Sequence, residues 1–227
     1  MKNKFKAVAY WGSRKESIEQ CTERLTRFMT QIGRLSPHLR DWHEDSRLIE
    51  KTPERLRRLL EEGRNRDETP QRRILANLGF RIFFLWAGDH PDGDIAIMTV
   101  HCGAYGEYCS VNNAILRSLP ESWLDVDLAV ELMRVMVTCW SPAHAAVCSP
   151  DALAAVGGQA EIPVVDWVFY HRLQRTGELS PPSRVAFELD GGECIVVQDS
   201  PIRPESPEDR ARVLALSRQL GLIRGRS

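Results

Sequence analysis

The sequence has 227 residues, of which 30 are Lys or Arg and 31 are Asp or Glu, so its formal net charge is −1. Hydrophobic residues make up 43% of it, which excludes global disorder, because disordered chains combine low hydrophobicity with high net charge. No apolar stretch approaches the ~18 residues of a membrane span, and the first residues lack the apolar run of a signal peptide. We therefore predict a cytoplasmic protein, with no membrane partner, whose six cysteines remain reduced.

Local patterns in the first part of the chain predict one strand and two helices. Residues 6–11 have the composition of a strand, and residues 18–32 place apolar side chains on one stripe at helical spacing. Ser13 is the predicted N-cap of this helix. The Thr-Pro-Glu sequence at 52–54 supplies a capping side chain, a proline at the first helical position and an acid in the first turn. It predicts a second helix, which we expect to end near Gly63.

The middle of the chain predicts a hairpin and a further strand. Residues 78–88 and 94–102 are both short, mostly apolar stretches. The His-Pro-Asp-Gly sequence at 90–93 between them has turn chemistry, so the two stretches are predicted to pair in antiparallel fashion. Residues 105–119 are expected to add the next strand.

The second half continues with helices and short strands. Residues 127–140 have an apolar stripe at helical spacing, and either Asp125 or Asp127 can cap that helix. Short helices are predicted to begin at the Ser-Pro sequences at 149–150 and 206–207. Four stretches are predicted to be strands, at residues 145–148, 164–173, 184–189 and 194–198.

Together these patterns predict an α+β fold with an antiparallel or mixed sheet of seven or eight strands, flanked by about five helices. No long Ser, Gly or Pro linker divides the sequence. We therefore expect a single domain over residues 1–227, which could be built from two halves, 1–120 and 121–227.

No catalytic or metal-binding constellation stands out in the sequence. It contains no Cys-x-x-Cys, His-Glu-x-x-His or Gly-x-Ser-x-Gly sequence, so we expect no metal, no cofactor and no enzymatic activity. His101 is next to Cys102, but neighbours on a strand point to opposite faces. The alternative that remains open is a small cytoplasmic enzyme with an unrecognised pocket near Trp11, Arg14 and His101.

Charge is distributed unevenly along the chain. Residues 1–88 carry a net charge of +7 and residues 89–133 a net charge of −7. The arginine-rich residues 55–73 include interleaved acids and lack neighbouring aromatics, so we expect no direct nucleic-acid binding; retention on DNA that weakens with salt would indicate otherwise. The acidic segment is the candidate contact surface for a basic partner. Its candidate residues are Asp89, Asp92, Asp94, Glu107, Glu121, Asp125 and Asp127.

The junction between the first strand and the first helix has a distinctive sequence. It reads Tyr10-Trp11-Gly12-x-Arg14-x-x-Ser17. Its residues suit a structural role, in which the glycine closes the turn and the arginine braces nearby carboxylates. The junction resembles the immunity protein 52 family, and further residues similar to that family extend over roughly residues 6–200. They include Cys21, Arg24, Trp42, Trp86, Asn112, Trp140, Trp167 and the Gly-Gly pair at 191–192.

The resemblance implies a binding protein rather than an enzyme. Members of this family look like antidotes in bacterial toxin–immunity pairs, and their genes lie beside those of polymorphic toxins that include type VI secretion effectors. The associated toxins are similar to DNases of the restriction-endonuclease fold. The implied function is neutralisation of a cognate nuclease toxin by protein–protein contact, which protects the cell from self-intoxication. The oligomeric state stays open.

Overall fold

The computed structural model describes residues 4–88, 94–106, 112–149, 165–172, 185–203 and 205–220. These residues form four α-helices and one sheet. The helices are α1 (Ile18–Leu35), α2 (Pro53–Glu62), α3 (Val126–Trp140) and α4 (Pro207–Gln219). Short 3-10 helices lie at Pro37–Leu39, Ala76–Leu78 and Glu121–Trp123.

The sheet of the described residues has ten strands, which are β1 (Lys4–Trp11), β2 (Trp42–Glu44), β3 (Arg47–Leu48), β4 (Phe80–Gly88), β5 (Ile95–Cys102), β6 (Asn112–Pro120), β7 (His144–Cys148), β8 (Val168–His171), β9 (Val185–Leu189) and β10 (Gly192–Val196). Their order in the sheet is β3-β2-β4-β5-β6-β1-β7-β8-β10-β9, and all their pairings are antiparallel. β1, the first strand of the chain, lies in the interior of the sheet between β6 and β7. It therefore joins strands from the first and second halves of the sequence in one continuous sheet.

The predicted fold class is wrong in its counts. The described residues form ten strands, not seven or eight, and four α-helices, not about five. One cause is β3, which has only two residues and pairs with β2 across a tight turn at Asp45 and Ser46, both with positive φ. Two residues are too few to produce the alternation that identifies a strand in a sequence. The short helix predicted after residue 149 lies outside the described residues.

The predicted hairpin and most helix starts are confirmed. β4 pairs with β5 in antiparallel register. Thr52 caps α2, Asp125 caps α3 and Ser206 caps α4, each by accepting a backbone N–H bond. The prediction of Ser13 as the cap of α1 is wrong. Ser17 caps it instead, in a reciprocal capping box with Gln20, because the glutamine side chain at that spacing reaches back to the backbone N–H of the cap.

The helices α1 and α3 pack together, and α3 also packs on β1, β7 and β8. The apolar stripe of α1 is buried as predicted, from Ile18 to Ile32. α3 buries residues on more than one side, including Met133 and Val137, because it lies between α1 and the sheet. This arrangement covers one face of the central strands with the helical layer.

A row of polar residues crosses the other face of the sheet. Trp11 stacks on Trp140 of α3, so the neighbouring Tyr10 points to the face away from α3. The strand register continues the row on both sides of Tyr10 through residues directly opposite one another. These are Arg81, His101 and Asn113 on one side, and His144, His171 and Glu193 on the other.

Candidate functional site

The junction after β1 is built around two stacked indoles. Trp11 is 3% exposed and its ring lies 5.2 Å from that of Trp140, nearly parallel to it. Phe28 of α1 meets the Trp140 ring edge-on at 5.7 Å. The Nε1 atoms of both indoles are buried and have no hydrogen-bond partner among the described residues. The tryptophan of the junction is therefore a core residue, and its ring is not offered to a partner.

Three arginines converge on the C-terminal end of α3. Arg14 Nη1 donates to the carbonyl oxygen of Trp140 at 2.9 Å, and Arg24 Nη1 donates to that of Cys139 at 2.8 Å. Arg27 Nη2 donates to the carbonyl of Thr138 at 2.6 Å. These carbonyls are the ones that a helix leaves without partners at its C-terminus, where its dipole favours cations.

Glu16 holds two of those arginines in place. Its side chain is only 5% exposed, and it lies 3.1 Å from Arg14 Nε and 2.7 Å from Arg24 Nε. Burial lowers the pKa of Arg14, while the charge of Glu16 raises it. The arginine therefore braces a carboxylate, as expected from the sequence, and it also caps a helix whose sequence position is remote from its own.

Asn112 fixes the loops around this junction. It is fully buried; its Oδ1 accepts from the N–H of Ala104 at 2.9 Å, and its Nδ2 donates to the carbonyl of Gly12 at 2.8 Å. Gly12 does not have a positive φ, and a Cβ built on it meets nothing within 4 Å. Neither the backbone conformation nor the packing therefore requires glycine here, so these observations do not support the predicted role of Gly12 in closing the turn.

The structure separates the residues of the alternative enzyme pocket. Trp11 and Arg14 face the helical layer, whereas His101 points to the opposite face of the sheet. There His101 lines a pocket of about 370 Å³ together with Arg81, Arg117 and other residues. Its Nε2 lies 2.8 Å from the carbonyl oxygen of Leu78. Trp11, Arg14 and His101 therefore do not form one site.

Of the described acidic candidates, Asp94 and Glu121 lie at one end of the sheet. Asp94 precedes β5, and the register of β5 with β6 places it beside the residues that follow β6. Those residues include Glu121, Asp125 and Asp127. Asp125 Oδ1 accepts from the N–H of Leu128 at 2.7 Å, so it is occupied as a helix cap. The candidates Asp89, Asp92 and Glu107 lie outside the described residues.

A pocket of about 410 Å³ opens at this same acidic end. Asp94 lines it together with a second carboxylate, Asp41, which has no hydrogen bond or ion pair within the described part of the chain. His43 also lines it, and the Nδ1 atom of this histidine is buried with no hydrogen-bond partner among the described residues. Sequence reasoning missed Asp41 and His43, because they lie near β2, far along the chain from the acidic segment.

One wall of the pocket is an aromatic pair. The ring of Trp123 stacks on that of His38 at 4.4 Å and an angle of 6°. Trp123 also packs over Gly88, where a Cβ would lie 2.8 Å from the indole and where φ is +105°. Glycine is therefore required at that position. The pocket combines two carboxylates with an aromatic wall, which is the chemistry that accommodates a cationic side chain.

Two buried titratable groups lie elsewhere in the sheet. Burial raises the pKa of Asp166 to about 8, although its two oxygens accept from the N–H groups of Ser149 and Trp167. Burial also lowers the pKa of His144, and the charge of His171 on the next strand lowers it further. Neither group lines the pocket at the acidic end.

Within the described residues, no group of three or more His, Cys, Asp or Glu side chains is arranged to hold a metal ion. None of the described helices is long and apolar enough to cross a membrane. The five described cysteines, at positions 21, 102, 139, 148 and 194, carry free thiols.

Comparison with known proteins identifies a family and a solved structure of similar fold. The family model described as immunity protein 52 matches residues 3–225. The structure titled "Pseudomonas aeruginosa T6SS protein PA0821" superposes with a TM-score of 0.55 at 14% sequence identity, covering 98% of this chain and 74% of that one. At that identity the likeness concerns the fold alone. Among curated proteins, none matches this sequence significantly.

Proposed function

The chain belongs to the immunity protein 52 family, and from this premise we propose that it binds a cognate nuclease toxin in the cytoplasm and prevents it from cutting DNA. It acts by occupying the toxin and has no catalytic activity of its own. Because type VI secretion effectors are among the toxins that the family resemblance implies, the partner is proposed to be an effector used in bacterial competition. The gene for such a toxin is expected beside the gene for this protein.

The observation that carries the nuclease proposal is the acidic end of the sheet. A nuclease presents Lys and Arg side chains to the phosphates of DNA. An inhibitor that presents carboxylates to the same side chains competes with DNA and associates rapidly, because opposite charges steer the encounter. Asp94, Glu121 and Asp127 come from the acidic segment, and Asp41 joins Asp94 in the walls of one pocket.

The pocket itself suits the insertion of one Lys or Arg side chain. Asp41 and Asp94 supply negative charge, and the half-buried ring of Trp123, one face of which stacks on His38, supplies the aromatic wall. A cation over an aromatic ring gains about 0.5–2 kcal/mol, with the larger values in desolvated sites. We therefore assign this pocket as the anchor point for a basic side chain of the toxin.

The proposal is tested by binding and protection together. Wild-type protein is mixed with the product of the adjacent gene, carrying an inactivating substitution, and the complex is sought by co-purification. The active toxin is then assayed for DNA cleavage with and without this protein. A stable complex that also protects DNA supports the proposal. Absence of a complex at micromolar concentrations and low salt contradicts it.

The contribution of the acidic end is tested with matched charge reversals. The variant Asp41→Lys/Asp94→Lys changes both pocket carboxylates. The control variant Glu62→Lys/Glu188→Lys changes the net charge equally, but at two exposed positions on α2 and β9. Association with the toxin should slow at least about tenfold in the pocket variant and much less in the control. Equal association rates for the two variants would contradict the placement of the acidic end in the interface with the toxin.

A further inference from the structure

A second candidate surface lies on the helical layer, in a groove between α1 and α2. The groove encloses about 540 Å³ and its walls are mostly carbon. Thr22 and Thr26 of α1 line one side, and Pro53 at the start of α2 lines the other. The charged residues that line it are Glu19, Glu23, Arg27, Glu54 and Arg57.

Both arginines of the groove are already bound within the fold. Arg27 Nη2 donates to the carbonyls of Thr138 and Cys139, at 2.6 Å and 3.2 Å. Arg57 lies 3.3 Å from Glu19 and 3.2 Å from Glu61, with one nitrogen on each. Both positive charges are therefore engaged by acceptors within the fold, and the carboxylate of Glu19 is paired with Arg57.

The remaining two carboxylates are different. Glu23 and Glu54 are both exposed, and neither has a hydrogen bond or an ion pair within the described part of the chain. They lie on opposite helices, one on each side of the groove. An apolar cleft is thus bordered on both sides by carboxylates that lack partners, so its charge favours a cationic occupant.

The groove is distinct from the acidic end of the sheet. Its residues on α1 lie between Glu19 and Arg27, in the N-terminal half of the helix. The pocket at the acidic end begins with Pro37 and His38, beyond the C-terminus of the same helix. Because an α-helix advances about 1.5 Å per residue, the two surfaces lie well over ten ångströms apart along α1. No residue lines both surfaces, so each can be substituted without replacing a residue of the other.

We propose that the α1–α2 groove receives a basic amphipathic segment of the toxin. An apolar side chain of that segment lies between the helices, and flanking Lys or Arg side chains pair with Glu23 and Glu54. The identity of the partner rests on the proposed function. The preference of the groove for a basic amphipathic segment is independent of that function, since it follows from the apolar walls and the two unpaired carboxylates.

The groove chemistry is tested first without the toxin. The probe is a fluorescently labelled helical peptide of leucine and lysine with its leucines on one face, and the matched probe has glutamate in place of lysine. Fluorescence anisotropy should detect binding of the lysine peptide to wild-type protein and at least about tenfold weaker binding to Glu23→Lys/Glu54→Lys. The control Glu62→Lys/Glu188→Lys should bind like wild type. If the lysine peptide binds Glu23→Lys/Glu54→Lys as tightly as it binds the control variant, the proposal is overturned.

Charge reversal at Glu54 also weakens α2, because an acid in the first turn of a helix is favourable there. The neutral variant Glu23→Gln/Glu54→Gln therefore accompanies it, together with a melting curve for each protein. Thr26→Phe gives a second, uncharged test, since an aromatic ring at that position fills the groove. A folded Thr26→Phe variant that binds the lysine peptide as tightly as wild type would also overturn the proposal.

The inactivated toxin is then titrated against the same variants. A loss of affinity with Glu23→Lys/Glu54→Lys, but not with the control, supports docking of the toxin in the groove. Full affinity for both variants overturns the docking while leaving the proposed function in place. If wild-type protein itself does not bind the toxin, the proposed function fails, whatever the peptide does.

Discussion

Arg14 Nη1 donates a hydrogen bond to the carbonyl oxygen of Trp140 at 2.9 Å, across 126 positions of the sequence. The same guanidinium lies 5.1 Å from the centroid of the Trp11 ring, which stacks on the Trp140 ring. One side chain thus connects the end of the first strand to the end of α3. This contact gives Arg14 a structural role within the fold. That role accounts for an arginine shortly after β1 whether or not the residue contacts a partner protein.

Replacement of Arg14 is expected to destabilise the protein. Arg14→Ala removes a charged hydrogen bond to an otherwise unpaired helix carbonyl and leaves the buried Glu16 with one arginine instead of two. Hydrogen bonds to charged groups contribute about 1.5–3 kcal/mol. We expect a loss of that size in the free energy of unfolding, measured by urea denaturation.

The control for this measurement is Arg57→Ala. Arg57 also forms ion pairs, with Glu19 at 3.3 Å and with Glu61 at 3.2 Å, but all three side chains are more than 40% exposed. Exposed pairs contribute about 0–1 kcal/mol. A loss in Arg14→Ala no larger than the loss in this control would contradict the contribution assigned to the cap on α3.

Two tryptophans are predicted to behave differently. Trp11 is buried against Trp140, so Trp11→Ala should lower the free energy of unfolding by about 3–5 kcal/mol. Trp123 is only half-buried at the pocket of the acidic end. Trp123→Ala should cost clearly less stability and should weaken toxin binding. Denaturation curves and toxin titrations of both variants check this, and the reverse ranking of stabilities would contradict it.

His144 predicts a loss of stability in mild acid. Burial, and secondarily the charge of His171, lower the pKa of His144 below its usual value, which is about 6.5 in an unfolded chain. The unfolded state then binds a proton more readily than the folded state, so the free energy of unfolding falls as the pH drops through that value. His144→Gln should reduce this slope, measured by urea denaturation between about pH 7.5 and 5.5. A slope retained in full by the His144→Gln variant would contradict this assignment.

Asp166 predicts a pH dependence of the opposite sign. Burial raises its pKa from 3.8 to about 8. The folded state therefore holds a proton that the unfolded state has released, and the free energy of unfolding falls as the pH rises from about 4 towards 8. Asp166→Asn should remove this contribution. Near pH 4, where the pH-dependent cost is small, the variant should be less stable than wild type by about 1–3 kcal/mol, because an amide offers one acceptor where two backbone N–H groups donate. A wild-type pH profile retained in Asp166→Asn would contradict the assignment.

The sequence predicted elements best where one local rule decides the outcome. Thr52 and Pro53 identified the start of α2, and the apolar spacing of α1 identified its buried stripe, because capping and periodicity act within a few residues. The prediction of Ser13 as the cap of α1 is wrong, because Ser13 and Ser17 are both serines near the start of the helix and only the glutamine three residues after Ser17 distinguishes them. β3 could not be predicted, because two residues carry no periodicity.

The candidate site was accessible to sequence reasoning only in part. The acidic segment pointed to Asp94, but the companion carboxylate Asp41 and the ring of His38 reach the pocket because β2 and the 3-10 helix at Pro37–Leu39 pack against β4. The groove between α1 and α2 also escaped the sequence, because its importance depends on which charges are paired in the fold. In the sequence, Arg57 and Glu54 are both simply charged residues of one helix. In the fold, Arg57 forms ion pairs with Glu19 and Glu61, whereas Glu54 has no partner within the described part of the chain.

The most direct test of the central claim is the rate at which wild-type protein and the variant Asp41→Lys/Asp94→Lys associate with the inactivated product of the adjacent toxin gene, measured over a range of salt concentrations. We predict fast association of the wild type that slows as salt rises, and an at least about tenfold slower rate for the variant at low salt. The difference should shrink at high salt, where the charges are screened. The same rate for both proteins at low salt, with Glu62→Lys/Glu188→Lys as the matched control, would contradict docking at the acidic end, and the absence of any complex would contradict the immunity function itself.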